Sequence, residues 1–124
     1  MGRRQEVPET YAKVYADYVA ALERAPLAAH SRRNYASRVR GFLVWLDTGE
    51  ADTGGADPLT DAHARDFAVR DYRSYLKTVR KLSAATANAH LAALDHFYAH
   101  LNLGPVQVRR DTLPALAPRA LGPR

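Results

Sequence analysis

Tyr35, Val39, Phe42 and Leu46 fall at i, i+4, i+7 and i+11, a spacing that gathers large apolar side chains onto one narrow side of an α-helix. A helix over about 29–48 follows, and the glycines, aspartates and proline of 48–58 stop it. Three further segments carry the same period. Over about 8–24, Tyr11, Tyr15, Tyr18, Val19 and Leu22 recur, with Pro8 suited to a first turn and Pro26 marking the exit. Thr60 is placed as the N-cap of a third helix reaching about Arg80, with Asp61 favourable at its positive end. That helix is expected to bury Phe67, Tyr72, Tyr75, Leu76 and Val79. The fourth starts at the cap residue Ser83 and runs to about Leu103, where Gly104-Pro105 ends it; Ala87, Leu91, Leu94, Tyr98 and Leu101 share one face. Strand-like alternation is missing, so the fold class is all-α, a compact four-helix domain.

A chain of 124 residues suffices for one core. The expected organisation is an N-terminal tail over 1–7, the helical domain over 8–105 and a linker over 106–124. The linker reading rests on "RRDTLPALAPRALGPR", which has three prolines and no sustained period. Such a tether normally joins two domains, so a further domain is expected beyond it. No apolar run approaches the roughly 20 residues of a membrane span, and the N-terminus has no apolar segment of a secretory signal. With no cysteine there is no disulfide framework or thiolate metal site. A cytoplasmic location and no membrane partner are expected.

No catalytic constellation stands out. His96 and His100 are four apart, as metal-binding pairs on helices are, but no HExxH pattern or third ligand accompanies them. His30, His63 and His90 are scattered without triad spacing. Gly54 and Gly55 lack the Lys-Ser/Thr of a phosphate loop. The seven tyrosines recur at helical spacing among aliphatic neighbours, which makes them core residues rather than nucleophiles. No metal, no cofactor and no enzymatic activity are expected of this chain.

Charge is more informative. The net charge is +5, and it is segregated: Ala28 to Leu46 holds four Arg and no acid, whereas Asp47 to Asp66 holds six Asp/Glu and one Arg. A polyanion is the favoured partner. With Tyr35 taken as the core direction, Arg33, Ser37 and Arg40 lie near the opposite face of the second helix, flanked by Arg32 and Arg38. Guanidinium binds phosphate bidentately, Ser and Asn contact phosphate or base edges, and a helix fits the major groove. Arg73, Lys77 and Arg80 form a second row, continued by Lys81, and Ser83 then opens a helix whose N–H groups can face a phosphate. A solvated cationic face accounts for these residues about equally well.

The segments "SRRNYASRVRGFLVWLDTG", "PLTDAHARDFAVRDYRSYL" and "LSAATANAHLAALDHFYAHL" together resemble the N-terminal core-binding domain of tyrosine recombinases, the phage-integrase family. The third resembles the family's "S..T.N..L.AL..FY..L" through Ser83, Thr86, Asn88, Leu91, Ala93, Leu94, Phe97, Tyr98 and Leu101. The resemblance covers roughly 8–105 and implies a SAM-like helical domain that clamps one side of double-stranded DNA. It implies DNA-contacting positions at Ser31, Arg33, Asn34, Ser37 and Arg40 on the second helix. On the junction and fourth helix it implies Arg80, Lys81, Ser83, Thr86 and His90. Arg40, Arg80 and Lys81 are matched to phosphates, and Asn34 and His90 to bases. Ala28, where the family commonly has a Ser cap, and Ala89 and Asp95, where it often has Arg or Lys, depart from the pattern and imply weaker binding or a different site preference. Strand cleavage in the family belongs to a C-terminal catalytic domain, so the resemblance makes no tyrosine here the nucleophile. It also implies assembly of copies on DNA, with the first helix as the contact. A helical protein-interaction module with a solvated basic face is the alternative.

Overall fold

The computed structural model describes residues 6–51, 53–104 and 106. Four helices follow in order: α1 (Glu9–Arg24), α2 (Ala29–Leu46), α3 (Ala62–Thr78) and α4 (Ala84–His100). No strand occurs among the described residues. The most extensive helix contact is between α2 and α4; α1 and α3 each touch both members of that pair and not each other. The expected linker, apart from Val106, lies outside the described residues, as do residues 1–5 of the expected tail. Val7 and Val106, just outside the expected 8–105, both pack against the core.

The helical periods place the core where α2 meets α4. Val39, Phe42, Leu43 and Leu46 from α2 meet Leu91, Leu94, Phe97 and Tyr98 from α4, all buried. Tyr18 and Leu22 close this core from α1, and Val69, Tyr72 and Leu76 from α3. Edge-on ring pairs join the helices: Tyr18 to Phe97 at 5.1 Å and Phe42 to Tyr72 at 5.1 Å between centroids. Each such fully buried side chain stabilises the fold by about 1.5–3 kcal/mol. All seven tyrosines are buried or pack half-buried against this core. The Tyr35 ring is one of the half-buried set and lies 5.0 Å from His96.

Two expectations for α3 are corrected. Its N-cap is Asp61 rather than Thr60, because the Asp61 carboxylate reaches the Ala64 N–H at 2.9 Å. Phe67 and Val79 are not core residues; they are 43% and 65% exposed. The buried stripe is instead Ala64, Arg65, Ala68, Val69, Tyr72 and Leu76. Phe67 lies about 140° around the helix from Tyr72 and opposite Leu76, so it faces outward, with the Arg70 guanidinium 4.7 Å from its ring centre, and Val79 is the C-cap beyond the last helical residue.

Helix α1 ends at Arg24 as its pattern suggests, whereas α2, α3 and α4 end two or three residues earlier than theirs. Beyond α3, Lys81 adopts φ 55°, a left-handed conformation that turns the chain into α4, and the Leu82 N–H bonds back to the Leu76 carbonyl. Beyond α4, Asn102 adopts φ 64°, with Asn102 N–H bonded to Ala99 O and Leu103 N–H to Tyr98 O. This paired closure is a Schellman motif, and it stops the helix at His100. The buried Arg65, 3% exposed, then fixes the exit: its guanidinium donates to the carbonyls of Leu103 and Gly104 and to Asp66. The Val106 N–H adds a bond to Asp95 Oδ1 at 3.2 Å.

Candidate nucleic-acid interface

The four arginines of α2 divide between structure and surface. Arg32 donates from Nη2 to the Ala25 carbonyl at 3.1 Å and so ties down the turn between α1 and α2. This turn needs the tie because Ala28, the N-cap of α2, has no side chain to cap with. Arg33 is exposed and borders a groove between α1 and α2. Arg38 borders a second cleft, on the side of α3 and α4. Between the two runs a ridge of Asn34, Ser37 and Arg40, one helical turn apart, which borders both. Arg40 Nη2 donates to Ser37 Oγ at 3.2 Å, and the Asn34 side-chain amide pairs with His30 Nε2 at 3.0 Å.

The second cleft, about 410 Å³, is lined by Asn34, Ser37, Arg38, Arg40, Gly41, Val44, Tyr72, Arg80 and His90. It therefore brings together five of the expected positions from three parts of the chain: Asn34, Ser37, Arg40, Arg80 and His90. No carboxylate lines it. Burial, then Arg38, then Arg80 push the His90 imidazole down to about 4, so it is neutral at ordinary pH. Burial likewise raises the Tyr72 hydroxyl to about 12 against the opposing pull of Arg80, which leaves it a neutral donor.

The remaining expected positions lie elsewhere. Ser31 is half-buried in the first turn of α2 and borders neither cleft. Lys81, Ser83 and Thr86 are exposed at the α3–α4 junction. Ser83 is the cap of α4: Oγ accepts from the Thr86 N–H and donates to Thr86 Oγ1, both at 3.1 Å. The hydroxyl thus already satisfies one of the N–H groups at this helix end. Arg73 and Lys77 are half-buried, and both engage other groups of the protein, whereas Arg80 is exposed.

Helical spacing places Arg38 on the flank and does not mark Gly41, Val44 or Tyr72 as the cleft residues they are. One signal was available: Asn34, Arg38 and Gly41 lie at i, i+4 and i+7, a stripe of their own. Which helix that stripe faces is decided by the packing of α3 and α4.

A family model described as the phage integrase N-terminal SAM-like domain matches residues 14–106, from within α1 to beyond α4. The chain belongs to this family. Comparisons with curated proteins and with solved structures gave no match. The match gives the α2 ridge and the arginine-lined cleft their setting, because both lie inside the SAM-like integrase domain. No helix among the described residues is long and apolar enough to cross a membrane.

The SAM-like domain should also be acid-labile. His96, whose Nδ1 shares a 2.8 Å hydrogen bond with the Tyr18 hydroxyl, is lowered by burial and by His100, in the same direction as His90. From the ordinary histidine range near 6.5 down to about 4, the unfolded chain binds more protons than the folded one. Stability therefore falls as pH falls through that window. Melting temperatures at about pH 7.5 and about pH 5 should show the drop, and His90→Gln should reduce it. Equal melting temperatures in the parent protein would contradict the depressed values.

Proposed function

We propose that this domain binds double-stranded DNA as the non-catalytic, DNA-positioning part of a tyrosine recombinase of the phage-integrase family. A separate catalytic domain would carry out strand cleavage and rejoining. The observation that carries the reading is the ridge of Asn34, Ser37 and Arg40 on α2, with Arg33 on one side and the acid-free cleft of Arg38 and Arg80 on the other. A helix bearing guanidinium, amide and hydroxyl groups on one outward side matches what the DNA major groove and its flanking phosphates can bind.

Binding should be mainly electrostatic and fall steeply with salt. In a mobility-shift titration on mixed-sequence duplex at two salt concentrations, Arg33→Ala and Arg40→Ala should each weaken binding with helicity unchanged. Each should also lower the slope of log K against log salt by about one. If both variants bind as the parent does at low salt, the assignment of this face is wrong. Little retardation of any duplex by the parent protein would favour an acidic protein partner instead.

A further inference from the structure

We propose that the cleft between α2, the end of α3 and α4 is a seat for a single phosphate group, held by Arg38, Arg40 and Arg80. The proposal deepens the DNA-binding reading and rests on it for the source of the phosphate, a backbone diester of the duplex. The chemistry of the walls selects the ligand. Three guanidinium groups and no acid border the cleft, with Asn34, Ser37 and the Tyr72 hydroxyl as neutral hydrogen-bonding groups. A flipped-out, unstacked base is a poor occupant, because it needs an exposed aromatic face to stack on. The only phenol or indole ring in the lining, Tyr72, is 1% exposed.

Gly41 carries the argument further. It lies inside α2 without a positive φ, so the backbone does not require glycine there. A Cβ at this position would meet the Tyr72 hydroxyl at 3.4 Å, ordinary contact, and no other side chain within 4 Å. Packing does not require glycine either, although glycine weakens a helix interior relative to alanine. What the missing side chain does is keep the cleft open down to Tyr72. An open, acid-free, arginine-walled cleft maintained at a cost in helix propensity is what an anion seat needs.

His90 supplies a reporter. The charged groups bordering the cleft with it are Arg38 and Arg40 from α2 and Arg80 from the end of α3, with Tyr72 from α3 as the other titratable group. Burial first, and then the positive charges of Arg38 and Arg80, keep the imidazole neutral, so an entering phosphate relieves the part that comes from the charges.

The test is a histidine-ring NMR titration of the protein with inorganic phosphate, against chloride at equal ionic strength. The expected result is a saturable shift at His90 and the Gly41 amide, with the His90 midpoint raised by about one pH unit. Arg38→Gln with Arg80→Gln should abolish it. Gly41→Leu, which retains every arginine and plugs the cleft, should abolish it too and weaken duplex binding about tenfold. An unmoved His90 in the parent protein overturns the seat, as does a Gly41→Leu variant that still responds. If Gly41→Leu binds duplex normally while Arg33→Ala does not, the seat is wrong and DNA binding stands. If phosphate moves His90 but no duplex is bound, the seat stands and the DNA reading fails.

Discussion

Replacing Phe42 by alanine is expected to destabilise the domain by about 4 kcal/mol and to weaken the arginine-lined cleft at the same time. Phe42 is fully buried and stands at the centre of the aromatic cluster, 5.1 Å from Tyr72 and 6.2 Å from both Trp45 and Tyr98. Alanine leaves a cavity that these rigid rings cannot fill without leaving their rotamers. Tyr72 is the link to function, because its ring packs on Phe42 while its hydroxyl meets the cleft beside Gly41. Urea unfolding measures the first effect. The second is read from phosphate titration at a temperature where the variant is still folded. Phe42→Leu, which keeps most of the volume, should cost less than about 1.5 kcal/mol. A similar loss for both substitutions would mean that the core collapses around the smaller side chain.

Arg65→Met is expected to cost about 3 kcal/mol and to lower the melting temperature by roughly 15 °C. Methionine retains the apolar stem and removes only the guanidinium. Two carbonyls, of Leu103 and Gly104, and the Asp66 carboxylate then lose their charged donor at a site where Arg65 was 3% exposed. Hydrogen exchange should show the loss first at the segment after α4, since Arg65 joins that segment to α3. A cost below about 1 kcal/mol would show that water replaces the guanidinium there without penalty. Arg65 is the one charged residue among the described residues that is buried, and nothing in its local sequence marks it.

The arginines of α2 show why charge is only partly legible in a sequence. Four of them lie within nine residues and look equivalent as composition. Arg32 closes a turn, Arg33 faces the α1 groove, Arg38 enters the cleft and Arg40 stands on the ridge between. Helical spacing separates their directions by angle, and so picked out Arg33, Ser37 and Arg40. It does not say which direction another helix will occupy. Arg38 points towards α3 and α4, and only their packing makes that direction a cleft rather than open surface.

Phe67 and Val79 on α3 show that hydrophobicity alone does not place a residue. Phe67 and Val79 are large and apolar, and a ranking by hydrophobicity puts them inside. Phe67 is turned away from the side that buries Tyr72 and Leu76, and Val79 falls at the C-cap, so direction and helix length leave them outside. Asp61 displaced Thr60 as the cap because a carboxylate one residue later reaches the Ala64 N–H at 2.9 Å.

The sequence by itself determined the four helices, the Ser83 cap, the core faces of α2 and α4 and the outward basic side of α2. These follow from local chemistry and a 3.6-residue period, which neighbouring residues along the chain suffice to express. The tertiary structure decided which basic residues converge, that Gly41 opens a path to Tyr72, and that Arg65 holds the chain after α4. Those properties depend on groups far apart in sequence meeting at a few ångströms, and a one-dimensional period carries no information about distance between helices.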